Sequence, residues 1–292
     1  MNSTTVKRFI AVALAPSLIL YALFVFIPVL WSAFYSLFNW SGIGEASFIG
    51  LQNYKELLGD SIFWHSLGNN VIFVLASVLG QVPLALFLAI ILYKSNAIQR
   101  FLRAAVFMPM VLSTVVIGLI WNYVYHPQIG ILNFVLDALH LSSLKMEWLS
   151  DPDIAIFSLI PPLVWSYVGL YLIIFISALQ NIPGELDDSA KIDGARGFTK
   201  LFKITLPMIW GTIQVAMILC IAGSLKSFDL VYIMTRGGPA HATELLATYM
   251  YNATFSTYRY GYGSTISTAI VIISLLLIGT SQWLTSRKNN AS

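Results

Sequence analysis

Long stretches of this chain carry no charge, and that restricts its folding more than any other feature. Six runs, at about 9–37, 69–93, 104–125, 154–179, 208–226 and 265–284, contain no Asp, Glu, Lys or Arg apart from Lys226 at the end of the fifth. Each approaches or exceeds the roughly 20 residues that a helix needs to cross the hydrocarbon of a bilayer. Within hydrocarbon every backbone N–H and C=O must be satisfied by the chain itself, so such runs cross as helices. Of the 292 residues 10% are charged and 58% hydrophobic, whereas a soluble domain has roughly 25% charged. The expected fold is an all-α integral membrane protein with six transmembrane helices.

Lysine and arginine give the orientation, because they concentrate in cytoplasmic loops. With the N-terminus inside, Lys7, Arg8, Lys94, Arg100, Arg103, Lys191, Arg196, Lys200, Lys203, Arg287 and Lys288 are cytoplasmic. Lys55, Lys145, Lys226, Arg236 and Arg259 are outside, a split of eleven to five among the 16 basic residues. Four of the 13 acids (Glu185, Asp187, Asp188 and Asp193) lie inside. The expectation is N-in, C-in: a cytoplasmic N-terminus over 1–8, one six-span domain over 9–286 and a cytoplasmic tail over 287–292. Lys7, Arg8 and the Ala13-Leu14-Ala15 triplet imitate a secretory signal. The apolar stretch runs well past that triplet, so it reads as an uncleaved first span. Prolines 16, 28, 83, 109, 161 and 162 fall within or near spans, where they bend helices rather than abolish them.

Motifs for chemistry are missing. No GxxxxGK[ST], HExxH or GxSxG occurs, and Gly261-Tyr-Gly-Ser-Thr265 has the wrong spacing for a dinucleotide loop. His65, His126, His140 and His241 are scattered through outer loops and span ends. The one cysteine, Cys220, lies in an apolar run and reads as a packing residue. The basic residues form no face for nucleic acid. No metal or catalytic set is expected.

One segment between the fourth and fifth runs is charged. After Pro183 and Gly184, Glu185 and Asp187 stand where a helix would begin, near its positive end. Gly194 suits a turn. Phe198, Leu201 and Phe202 then recur at i, i+3 and i+4, with Lys200 and Lys203 facing water or headgroups. Two short helices around a glycine turn on the cytoplasmic surface serve equally as an amphipathic linker or a docking element.

The segment resembles the EAA motif of ABC importer permeases: Glu-Ala-Ala, three residues, Gly, nine residues, Ile, one residue, Leu-Pro. Asp188, Ser189 and Ala190 take the first three places, then Gly194, Ile204, Leu206 and Pro207. Asp188 and Ser189 depart from the pattern but keep charge and small size. "ELDDSAKIDGA" at 185–195, "SFDLVYIMTRGGP" at 227–239 and "RFLRAAVFMP" at 100–109 are similar to stretches of the carbohydrate permeases of the maltose and glycerol-phosphate type. The resemblance implies a cytoplasmic coupling helix between spans 4 and 5, with Glu185, Asp193 and Ala195 joining the motif residues in contact with an ATPase. It implies no cofactor on this chain, since ATP is bound by that separate ATPase subunit dimer. The other implied partners are a second permease subunit, an extracytoplasmic solute-binding protein and membrane lipid, in a bacterial or archaeal cytoplasmic membrane. The function implied is import of a sugar or sugar derivative, with this chain a transport subunit and not an enzyme.

Alignment on Pro109, Ile182-Pro183 and Leu206-Pro207 brings Thr114, Ser166, Tyr167, Leu170, Cys220, Gly223, Ser224 and Ser227 to positions like the solute pocket of such permeases. Small polar residues also serve membrane helix packing. Trp165 and Tyr171 offer further aromatic surface, and Lys226 and Asp229 are expected at the outer mouth rather than in the pocket. The rival readings are half of an ion-coupled secondary transporter, which often shows internal repeats, and an intramembrane enzyme, for which no catalytic pair is visible.

Overall fold

The computed structural model describes residues 3–94, 96–186 and 195–289, and these are helical almost throughout. Four helices are long and apolar enough to cross a membrane: Val12–Tyr35, Ser61–Leu92, Ala155–Gln180 and Tyr260–Thr280. Two more runs are helix pairs bent by 101° (Ala97–Val111 with Thr114–Val124) and by 69° (Gly197–Met208 with Trp210–Leu225). The expected six spans are reached when each bent pair counts as one. The third run is therefore not the unbroken span over 104–125 that its hydropathy suggests. Leu112 and Ser113 are extended, and Ser113 caps the next helix by accepting from Val116 N at 3.5 Å. The sixth helix starts at Tyr260, ahead of the expected 265, and the second at Ser61, ahead of 69.

Proline chemistry explains most of the irregular turns. The chain widens into a π-helical turn at Ala22–Phe26, Ser77–Gln81 and Leu201–Thr205, and each turn ends two residues before a proline, Pro28, Pro83 or Pro207. A proline ring clashes with the carbonyl four residues back and offers no N–H to it. The wider turn absorbs both faults without breaking the helix. Pro161 and Pro162 instead sit in the first turn of Ile160–Gln180, where no N–H is missed.

Two compact units are distinguishable, one formed by residues up to 61 with 249–273, the other by 62–248 with 274 onward. In the larger unit, Val82, Ala85, Ala89, Phe175, Ile213 and Ala216 are among the residues of one buried cluster. Phe73, Ile117, Leu159, Leu163 and Val231 belong to another. Gly169 lets two helices meet backbone to backbone: a Cβ there would lie 2.7 Å from Phe107 Cα and Val106 O. Asn69 Nδ2 donates to Ala242 O and Glu244 O, both at 2.9 Å, and Asn70 Oδ1 accepts from Leu246 N at 2.8 Å. These bonds pin the 235–246 loop. Within it Gly237 has φ +85°, and a Cβ would lie 2.6 Å from Glu244 Oε2.

In the smaller unit, a two-residue-per-strand hairpin pairs Phe38 with Phe48 and Asn39 with Ser47. Trp40 stacks on Tyr35 with ring centroids 4.7 Å apart. Asp60 accepts from both Tyr249 and Tyr262, and Arg259 pairs with Glu56 at 2.7 Å. Burial first, then the Asp60 carboxylate, raises the Tyr249 phenol above its ordinary value.

Candidate functional site

A cavity of about 200 Å³ opens in the larger unit where the helices are irregular. Thr114, the first residue after the break in the third run, lines it, as do Ser166 and Tyr167 of Ile160–Gln180. Cys220, Gly223 and Ser224 enter from the end of Trp210–Leu225, and Ser227 from the non-helical link beyond. All of these were expected from the sequence. Leu170 was expected with them, but the structure keeps it off the wall: it is half-buried against the Val82–Cys220 cluster. Irregular backbone at membrane depth is tolerated where it lines such a cavity.

Polar bonds between helices hold the lining in place. Gln81, in the π-helical turn, donates through Nε2 to Leu163 O at 3.3 Å and accepts from Cys220 Sγ at 3.2 Å. Ser224 Oγ lies 2.6 Å from Ser77 Oγ and 2.8 Å from Cys220 O, and Ser166 Oγ donates to Pro162 O at 2.6 Å. Buried polar groups need such partners, because an unmade hydrogen bond costs roughly 1–3 kcal/mol. Ser166, Cys220 and Ser224 are thus buried structural donors as well as wall residues. Tyr167, Lys226 and Asp229 are the exposed polar side chains on the wall.

The position of Lys226 and Asp229 corrects the sequence-based expectation. They do not sit apart from the pocket; both line it, alongside Phe228. The fifth helix ends at Leu225, and these residues stand in and just after the short link before Asp229–Met234, exposed on the cavity wall. Gln81 was missed altogether. Its signal was a lone amide in an apolar run two residues before Pro83.

Of the expected coupling residues, Asp188, Ser189, Ala190, Asp193 and Gly194 lie outside the described residues. Glu185 is exposed in a helical turn that begins at 184, after the break at 181–183. Ala195 is half-buried. Ile204 lies in the π-helical turn and lines a second cavity of about 480 Å³, between the ends of Ser61–Leu92 and Ile160–Gln180 and the 197–205 stretch. Leu206 packs on the Val82–Cys220 cluster, and exposed Pro207 stands beside the 69° bend. Phe198 and Phe202 stack at 6.5 Å and are exposed, giving the segment the apolar face its periodicity suggested. Among the described residues no group of three or more His, Cys, Asp or Glu could hold a metal ion.

Comparison with known proteins places this architecture. Residues 81–287 match the family described as binding-protein-dependent transport system inner membrane component. A probable ABC transporter permease protein of Pyrococcus horikoshii is 36% identical over 271 residues, covering 92% of this chain and 93% of that one. The multiple sugar-binding transport system permease protein MsmF of Streptococcus mutans is 32% identical, covering 90% and 88%. A chain in the crystal structure of a bacterial alginate ABC transporter, in complex with alginate pentasaccharide-bound periplasmic protein, superimposes with a TM-score of 0.84 over 97% of this chain and 96% of that one. It shares 20% identity, so the likeness is one of fold. The chain belongs to the family of binding-protein-dependent transport system inner membrane components.

Proposed function

We propose that this transport component conducts a sugar or sugar derivative through the cavity around Thr114, Ser166, Tyr167 and Ser227, driven by ATP hydrolysed on a separate chain. The observation that carries the reading is the motif spacing from Asp188 to Pro207 in a sequence with no nucleotide-binding loop of its own. The motif is of the type that docks an ATPase, and with no P-loop on this chain the nucleotide is bound by that partner. Glu185, Ala195, Ile204, Leu206 and Pro207 flank the contact, with Asp188, Ser189, Ala190, Asp193 and Gly194 at its centre. The chain itself performs no catalysis.

The mechanism is a two-state rigid-body switch. Nucleotide binding closes the ATPase dimer, and the docked segment passes that motion to the bent Gly197–Met208 and Trp210–Leu225 pair. A nucleotide biases the equilibrium only as far as it binds one state better than the other. The cavity then opens alternately to each side. Eleven of the 16 basic residues favour N-in, C-in insertion in a bacterial or archaeal cytoplasmic membrane. A second permease subunit fits the first span: none of the most apolar part of Val12–Tyr35 is buried within this chain. Sugar as the cargo is supported by the name of the Streptococcus relative and by ring faces beside hydroxyls on the wall.

Gly194→Val tests the docking. The variant is expected to insert normally but to lose ATPase copurification, or to keep the ATPase and lose ATP-driven uptake. Normal copurification with normal uptake contradicts the assignment.

A further inference from the structure

We propose that Lys226 and Asp229 select the solute in the cavity, and that together they select a neutral, polyhydroxylated one. This rests on the reading of the chain as a sugar-conducting subunit. Among the described residues the two are the only charged ones on the cavity wall, and both are exposed. Among the described residues neither side chain forms an ion pair or hydrogen bond. Lys226 follows the last turn of Trp210–Leu225, whose free carbonyls favour a cation, so its charge is tolerated there. A charged group on such a wall without a protein partner takes its hydrogen bonds from water or from the solute.

Their signs decide the class of solute. The wall sums to zero formal charge, so an anionic solute loses to Asp229 what it gains from Lys226, and a cationic one the reverse. A polyol meets repulsion from neither. The carboxylate accepts from hydroxyls, the ammonium donates to hydroxyl and ring oxygens, and both bonds are charge-assisted. Tyr167 and Phe228 supply ring faces beside them. The hydroxyl protons of Ser166 and Ser224 are already committed within the protein, so the charged pair shares directional recognition with Thr114, Tyr167 and Ser227.

Cys220 is the only cysteine of this chain and lines the same cavity, so its conversion to a methyl disulfide by methyl methanethiosulfonate, with methanesulfinate as the leaving group, reads occupancy in the assembled transporter. Maltotriose is expected to protect it at concentrations about tenfold lower than a uronate trisaccharide does, the scale of one charge-assisted hydrogen bond. Asp229→Asn raises the half-protecting concentration of maltotriose and lowers that of the uronate. Lys226→Gln weakens protection by both. Asp229→Glu and Lys226→Arg keep the wild-type order. The wild-type comparison needs no variant: equal protection by the two solutes, stronger protection by the uronate, or none by maltotriose overturns the proposal. So does an Asp229→Asn protein that behaves like wild type. Failure of the underlying reading shows separately, as absence of ATP-driven uptake by the wild-type transporter.

Discussion

Two glycines state how tightly single residues are constrained. Gly169 faces backbone, not a side chain that can swing away, so Gly169→Val forces the Ala97–Val111 and Ile160–Gln180 helices apart. Overpacking of this kind costs about 1–3 kcal/mol. Unfolding followed with a bulky thiol-reactive dye, too large to enter the cavity of about 200 Å³ and so blocked from buried Cys220 until the fold opens, measures it. The midpoint of dye reaction is expected to fall by several degrees, and an unchanged midpoint contradicts the close approach. Gly237→Ala meets two penalties, left-handed backbone worth roughly 1–3 kcal/mol and collision with Glu244. It should expose the 235–246 loop to proteolysis before it lowers the global midpoint. At this scale the sequence was readable only in part. Thr114, Ser166, Tyr167, Cys220, Gly223, Ser224 and Ser227 line one cavity, and Leu170, grouped with them on the sequence, does not. That Lys226 and Asp229 line the cavity did not follow from hydropathy, which counts a charge at a span end as outside and knows nothing of where the link after the helix runs.

Several of the elements that line the cavity depart from regularity. The π-helical turn at Ser77–Gln81 presents Ser77 and Gln81 to the fifth helix, and Pro83 is what holds it open. Pro83→Ala restores a backbone donor and removes the ring from the carbonyl of Leu79, so the turn relaxes toward α geometry. Gln81 then rotates away from Cys220. Alkylation of Cys220 is expected to quicken and ATP-driven uptake to fall, while the unfolding midpoint holds or rises. Unchanged alkylation contradicts a structural role for the turn. Element existence was legible because charge-free runs of this length have one outcome in a bilayer. The break at Leu112–Ser113 was not, since the residues on both sides are equally apolar and a window of hydropathy runs straight through a 101° bend. The prolines at 28 and 83 marked irregular turns, but not whether each would bend, widen or break the helix, and Pro207, read only as a motif residue, adjoins a third.

For the whole molecule, the decisive features are a membrane-crossing helical body, a cavity at its irregular points and a charged segment with the spacing of an ATPase dock. The first and last were present in the sequence as charge distribution and motif. The cavity needed the fold, because its residues come from the second to fifth runs and the stretch just after the fifth, more than 140 positions apart at the extremes (Gln81 and Leu230). The central claim is that solute crosses here on energy delivered by another chain. ATP-driven uptake in proteoliposomes, with wild-type and hydrolysis-dead ATPase subunits compared under a dissipated proton gradient, tests it most directly. Uptake that requires the active ATPase and ignores the gradient is the predicted result. Uptake that survives with the dead ATPase and collapses with the gradient contradicts it.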